Sequence, residues 1–224
     1  MTTALVTGAN KGIGLEIVKG LVDRGLTVYL GARDPERGER AAASSGARFV
    51  QLDVTDPTSI ARAAAGLDRL DILINNAGIS GGRRNAPGEA DLAAVREVFD
   101  TNVFGVIAVT DAMLPLLRAS ESGRIVNMSS VVGSLAGIAT STSPNSLAYV
   151  PSKSALNAVT ALYAKAEPTL KVNAACPGYC ATDLNNHAGH RTAVEGAAIA
   201  IHLATLDNDG PTGGFFNDEG PVAW

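Results

Sequence analysis

Tyr149 and Lys153, in the stretch SLAYVPSKSAL, stand four residues apart, a little over one turn of helix. On a helix their Cβ atoms would lie about 5 to 6 Å apart on one face. A free phenol, with a pKa of about 10, is a poor acid near neutrality, but a cation within about 4 to 6 Å lowers such a pKa by about 1 to 3. The pair therefore has the makings of an acid and its tuning cation, although a solvated helix would set a tyrosine beside a lysine just as readily. Pro151, between them, opposes a helix unless it falls in the first turn, where its missing N–H costs little. A helix starting near Ala148 meets that condition.

A second pattern opens the chain. The apolar run TALV leads into TGANKGIG, residues 7–14, and then into a segment of helical period. Gly8, Gly12 and Gly14 allow a tight turn and let backbone approach a pyrophosphate, which the free N–H groups of a helix N-terminus would hold. Packing alone could also ask for glycines, but the place between first strand and first helix is the dinucleotide position. An acid about 20 residues on would bind the ribose hydroxyls of NAD. Here the second strand closes as Gly31-Ala32-Arg33-Asp34, with no acid at Ala32, a cation at Arg33 and another, Lys11, in the loop. Arginine grips phosphate in a bidentate fork, so NADP(H) is the expected cofactor, with Asp34 dissenting because it could pair with Arg33.

These groups need elements to hold them. The chain has 224 residues, 46% of them hydrophobic and 18% charged, and carries a net charge of -4. Such a composition suits a folded α/β chain and offers no basic field for nucleic acid or an anionic membrane, Arg83-Arg84 being the one local basic run. The N-terminus does not read as a signal peptide and no apolar run reaches a membrane span, so a soluble, cytoplasmic protein is expected. Cys176 and Cys180 lie near His187 and His190, but their spacing is too short for a zinc finger, and no metal is expected.

Seven short apolar runs (3–6, 27–31, 47–52, 71–75, 124–128, 171–176 and 213–216) read as strands. They alternate with helical segments at 12–24, 35–45, 57–68, 89–118, 148–167 and 192–206. That alternation predicts a doubly wound, seven-stranded parallel sheet of Rossmann type, in one domain over 1–224 that carries both cofactor and substrate sites. Two irregular stretches, 79–88 and 130–147, follow strand ends and are the natural walls of a site.

With TGANKGIG, Asp53-Val54, NNAG (75–78), Asn102 in TNVFG, Ser130 in IVNMSS, YVPSK and PGYCATD (177–183) in this order, the chain resembles the short-chain dehydrogenase/reductase family, and within it the carbonyl-reductase-like branch. Carbonyl reduction by hydride builds negative charge on oxygen, so the site needs a proton donor and hydrogen-bond donors aimed there. The resemblance implies a tetrad: Tyr149 as acid, Lys153 as its cation and ribose ligand, Ser130 (chosen over Ser129) on the substrate oxygen, and Asn102 holding a water that relays protons to Lys153. From the residues alone, Ser130 could equally cap a strand end and Asn102 could be a surface asparagine. It further implies cofactor contacts from Gly8, Asn10, Lys11, Gly12, Ile13, Gly14, Arg33, Asp53, Val54, Asn76, Ala77, Gly78, Pro177, Gly178 and Thr182, besides Tyr149 and Lys153. Asp53 and Val54 would meet the adenine, Asn76 to Gly78 the adenosine ribose, and Thr182 the carboxamide.

The chain departs from that pattern in two places. Ser130 and Tyr149 are 19 apart, the excess falling in TSTSPNS, where it would cover a helix face used for association. A monomer is thus favoured, with a homo-oligomer still open. The segment after PGYCATD is short, which predicts an open cleft lined by Leu135, Ile138, Tyr179 and Leu184 for bulky or aromatic carbonyl compounds. The expected activity is an NADPH-dependent reduction of a ketone or aldehyde. Alcohol oxidation by the same residues is the alternative, and a non-catalytic dinucleotide sensor a more distant one, since it predicts a broken tetrad.

Overall fold

A computed structural model describes residues 2–82, 85–138 and 146–224. The Arg83-Arg84 run and all of the TSTSPNS segment but Ser146 lie outside the described residues, and with the latter the reading of a monomer. The strands are β1 (Thr3–Val6), β2 (Thr27–Ala32), β3 (Arg48–Gln51), β4 (Ile72–Asn75), β5 (Arg124–Met128), β6 (Lys171–Ala175), β7 (Phe215–Asn217) and β8 (Gly220–Pro221). They form one sheet in the order β3-β2-β1-β4-β5-β6-β7-β8. The first seven are parallel, as expected; β8 corrects the count to eight, because the chain turns back after Asn217 and pairs antiparallel with β7.

The helices are α1 (Gly12–Val22), α2 (Pro35–Ser45), α3 (Pro57–Ala65), α4 (Leu92–Phe99), α5 (Gly105–Arg118), α6 (Leu135–Ile138), α7 (Tyr149–Ala166) and α8 (Ala193–Ala204). Their starts are written in the sequence. Asp34 and Asp56 cap α2 and α3 with their carboxylates ahead of a first-turn proline, and Thr192 with Glu195 forms a capping box on α8. Successive strand residues point to opposite faces, so Ala4 and Val6 pack with α1, α2 and α8, while Leu5 packs with α3 and α5.

The expected helix over 89–118 starts later, at Leu92 behind the Asp91 cap, and is not α-helical throughout. Asp100–Phe104 winds as a π-helical turn between α4 and α5. The stretch after β5, read as irregular, holds a 3-10 turn (Val131–Gly133) and the one-turn α6. Pro151 is the third residue of α7, so its missing N–H falls among the orphan donors of the first turn. Val222 N donates to Phe215 O at 2.7 Å and the Trp224 ring stacks on Phe215, which fixes the tail against the sheet edge. Trp224 O also accepts from Ala136 N at 3.1 Å, tying the tail to α6.

Candidate active site

The strand order reverses between β1 and β4, which places a crevice at the carboxyl ends of the central strands. A cleft of about 780 Å³ opens there, bordered by Arg33 and Asp53 at one end and by Tyr149, Lys153, Thr182 and Leu184 at the other. Between them lie Gly8, Asn10, Lys11, Gly12, Ile13, Gly14, Val54, Asn76, Ala77, Gly78 and Pro177. Gly178 turns away, with its φ of 74° and Arg191 packed over it.

Backbone crowding accounts for the glycines. Gly8 has a φ of 61°, and a Cβ there would come within 2.8 Å of Ala77 Cα. A Cβ at Gly14 would meet Asn76 Nδ2 at 2.4 Å. The Asn76 amide is committed to this turn, donating to Thr7 O at 2.9 Å and Gly8 O at 3.1 Å. Thr7 Oγ1 accepts from the backbone N–H groups of Asn76 and Ala77, each at 3.0 Å. NNAG thus braces the glycine loop as well as ending a strand. No side chain caps the N-terminus of α1, and no acid lies in its first turn. Its N–H groups are left for an anion, so the loop fits the pyrophosphate of a dinucleotide.

Two charges settle differently from each other. Asp34 accepts from Arg37 N at 3.0 Å and pairs with the Arg37 side chain, so capping α2 occupies the acid that was expected to compete for Arg33. Arg33 stays exposed at the cleft and near Asp53, whose carboxyl burial would push up but which the Thr55 N–H and hydroxyl, with Arg33, hold below its usual value. Lys11, the other expected phosphate ligand, is paired with Asp183, and His187 Nε2 lies 2.8 Å from the same carboxylate. With Ser80 Oγ donating to Leu184 O at 3.1 Å, this clasp ties the loop after β6 to both walls of the cleft.

At the far end, α7 presents Tyr149 and Lys153 on one face, with Lys153 Nζ 5.5 Å from the centroid of the Tyr149 ring. The lysine is buried and donates to Met128 O at 2.8 Å. The expectation that Lys153 depresses the Tyr149 pKa is corrected. Burial raises Tyr149 well above its ordinary value, with the nearby Cys176 adding to the rise and a hydrogen bond from Ser130 opposing it. The same burial pushes Lys153 down to about 8, since removing water disfavours the charged form of each group. Ser130 does not cap the turn that follows it, and its side chain is directed to the tyrosine. Ser129 instead bonds Asn157.

Asn102 lies in the π-helical turn, fully buried. Its Oδ1 accepts from Ile79 N and its Nδ2 donates to Ile79 O, both at 2.9 Å, and Nδ2 also donates to Ser152 Oγ at 3.1 Å. The amide therefore acts as a short strand partner for the segment after β4 and joins it to α7. A Cβ at Gly78 would come within 3.3 Å of Asn102 Oδ1 and 3.7 Å of Lys153 Nζ, so both groups crowd one glycine. Such π-helical turns recur at functional sites because the extra residue redirects one side chain.

Of the four apolar residues read as substrate contacts, Leu184 borders the cleft described above, while Leu135, Ile138 and Tyr179 are not among its described lining. Leu135 and Ile138 project to solvent from α6, and Tyr179 leans on His190 with ring centroids 6.1 Å apart. Sequence reading overlooked Asn157, although an asparagine four residues past Lys153 on the same helix face was a visible signal. The Lys11–Asp183 pair, 172 residues apart in sequence, had none.

A parallel sheet with a glycine loop at its switch point, facing a tyrosine and a lysine on one helix, defines a dinucleotide-type oxidoreductase architecture. The family model described as short chain dehydrogenase matches residues 2–193, and the chain belongs to the short-chain dehydrogenase/reductase family. It is similar to short-chain dehydrogenase/reductase 1 of Saponaria officinalis, with 36% identity across 95% of this chain and 93% of that one. Salutaridine reductase of Papaver bracteatum shares 34% identity, covering 97% and 94% of the two chains. Among solved structures, the NADPH-bound carbonyl reductase from chicken fatty liver superposes with a TM-score of 0.89 at 30% identity, covering 100% of this chain and 99% of that one. The Saponaria alignment runs over 280 positions against 224 residues here, so at least 56 positions of it have no counterpart in this chain.

Proposed function

We propose that the protein reduces a ketone or aldehyde at the expense of NADPH, with Tyr149 giving the proton and Ser130 sharing the carbonyl oxygen. The observation that carries this reading is the pairing of Tyr149 and Lys153 at one end of a cleft whose middle is an uncapped helix N-terminus. The cofactor, once bound, supplies the hydride. Tyr149 holds the proton at its phenolic oxygen, Ser130 orients that oxygen, and Lys153 lies one turn away, where the family pattern puts the ribose hydroxyls. Asn102 keeps the segment after β4 against α7. In this reading Asp53 and Val54 border the adenine, and Thr182 stands at the carboxamide.

Carbonyl reduction uses the protonated form of Tyr149. A raised pKa keeps the phenol protonated near neutrality, and an alkoxide forming on the substrate is basic enough to take that proton, whereas oxidation would need the phenolate as base. Relatives named salutaridine reductase and carbonyl reductase support a carbonyl substrate, and the short segment after PGYCATD suits bulky or aromatic ones. A panel of such carbonyls, followed by NADPH absorbance, tests the assignment. Tight NADPH binding with no turnover of any of them would favour a dinucleotide sensor instead.

Arg33 is expected to select the 2′-phosphate, and kcat/KM should be higher with NADPH than with NADH. One charge-assisted contact contributes about 1.5 to 3 kcal/mol, so Arg33→Ala should erase a preference of about 10- to 100-fold. An unchanged NADPH/NADH ratio in that variant would remove Arg33 from the selection. Lys153 gives a pH expectation. Because it loses its proton near 8, kcat/KM for NADPH, which reports the free enzyme, should fall as pH rises through about that value. A profile flat to pH 10 would show that the lysine's charge does not matter to the reaction.

A further inference from the structure

Four consecutive residues, Asn127 to Ser130, each meet α7 through a different turn. Asn127 Nδ2 donates to Thr160 Oγ1 at 2.9 Å, Met128 O accepts from Lys153 Nζ, Ser129 Oγ donates to Asn157 Oδ1 at 2.5 Å, and Ser130 meets Tyr149. Asn157 also reaches past Ser130: its Nδ2 donates to Gly133 O at 3.2 Å. One buried carboxamide thus grips the chain on both sides of Ser130, at Ser129 and at Gly133. Ser130 makes no capping bond within its own turn, so capping does not fix its hydroxyl. A carboxamide in a packed helix face is costly unless its polar atoms find partners, and among the described residues this one finds them in the turn that carries Ser130.

We infer that Asn157 is a positioning residue that sets where the Ser130 hydroxyl stands against Tyr149. The inference rests on the site reading proposed above. It assigns the general seating of α7 to other bonds, such as Asn127 to Thr160, and reserves for Asn157 the placement of one hydroxyl. Misplacing a reacting group by about 1 Å costs up to about 100-fold in rate, which sets the size of the effect sought.

The experiment is a double-mutant cycle on kcat with Asn157→Ala and Ser130→Ala, together with NADPH affinity from fluorescence titration. Asn157→Ala is expected to lower kcat by about 10- to 100-fold with the NADPH Kd within about 2-fold of the parent, because the group acts through Ser130 and not through the cofactor. Adding Asn157→Ala to Ser130→Ala should then change kcat by less than about 2-fold, since the hydroxyl it positions is already gone. Ser129→Ala cuts the same bond from the strand side and takes the place of Asn157→Ala should that variant not fold. Thr160→Val removes a neighbouring bond of the same kind, and should lower Tm while leaving kcat within about 2-fold. Full kcat in folded Asn157→Ala, or losses that multiply in the double variant, would overturn the inference while leaving the proposed function standing. Full kcat in Ser130→Ala would overturn the site reading and this inference with it.

Discussion

Tyr149→Phe is expected to lower kcat for carbonyl reduction by about 10²- to 10⁴-fold, the span usual for removing a positioned general acid. NADPH affinity should stay within a few-fold, because the ring, its packing against Lys153 and the start of α7 are all kept. The effect does not require a depressed tyrosine pKa. The raised pKa keeps the phenol neutral, so the proton is present on nearly every molecule near pH 7, and Ser130 hydrogen-bonds to that hydroxyl. What the variant loses is the donor at the moment charge appears on the substrate oxygen, an interaction made in the transition state and little felt before it. Single-turnover absorbance of the NADPH complex reads this loss directly. A variant that keeps a third or more of the parent rate would show that the proton comes from elsewhere.

The second large effect is on stability, at the opposite end of the sheet. Asp71, fully buried just before β4, accepts from Thr3 N at 2.8 Å, from Ser120 Oγ at 2.5 Å and from Arg69 through both carboxylate oxygens. It therefore pins the first residue of β1 and the connection leading to β5. Burial by itself would push the carboxyl up, but Arg69, Ser120 and Thr3 outweigh it and hold the group below its ordinary value. Asp71→Ala leaves the Thr3 N–H without a partner and opens a small void, costing about 2 to 4 kcal/mol. For a chain of this size the loss is about 5 to 15 °C in Tm. A carboxyl with a depressed folded pKa contributes stability above its unfolded value, about 3.9, and loses it as pH falls through the folded one. The gap between parent and variant should therefore be full at pH 7 and narrow in strong acid, where the part carried by the ionised carboxylate is lost. Calorimetry from pH 7 down to pH 3 checks both statements, and a Tm change below about 1 °C at pH 7 would refute the anchoring role.

Much of this was legible in the chain because the relevant physics is local. Asp34-Pro35 and Asp56-Pro57 announce helix starts, TALV and DILIN announce buried parallel strands, and TGANKGIG announces its turn through glycines that nothing larger could replace. The π-helical turn was not legible, since DTNVF carries the same apolar period as the α-helix on either side of it. Nor was β8, two residues long and containing a proline, which a propensity argument rejects and a sheet edge tolerates. The fate of the charges was the least visible part. Asp34 looked like a rival for Arg33 until the α2 cap claimed it, and Lys11 looked free until the loop after β6 brought Asp183 to it. Both outcomes depend on backbone placement, which residue types do not encode by themselves.

The Lys11–Asp183 clasp bears on how the cleft is entered. Both side chains are well exposed, so water competes for each of them and the bond should break and reform many times between catalytic cycles. Entry and exit of the cofactor past this loop would then resemble a fluctuating door more than a lock, and a phosphate arriving at Lys11 would displace a partner that solvent had already loosened. Added salt would weaken that partner and the incoming phosphate alike, leaving cofactor exchange less sensitive to ionic strength than a bare lysine would make it.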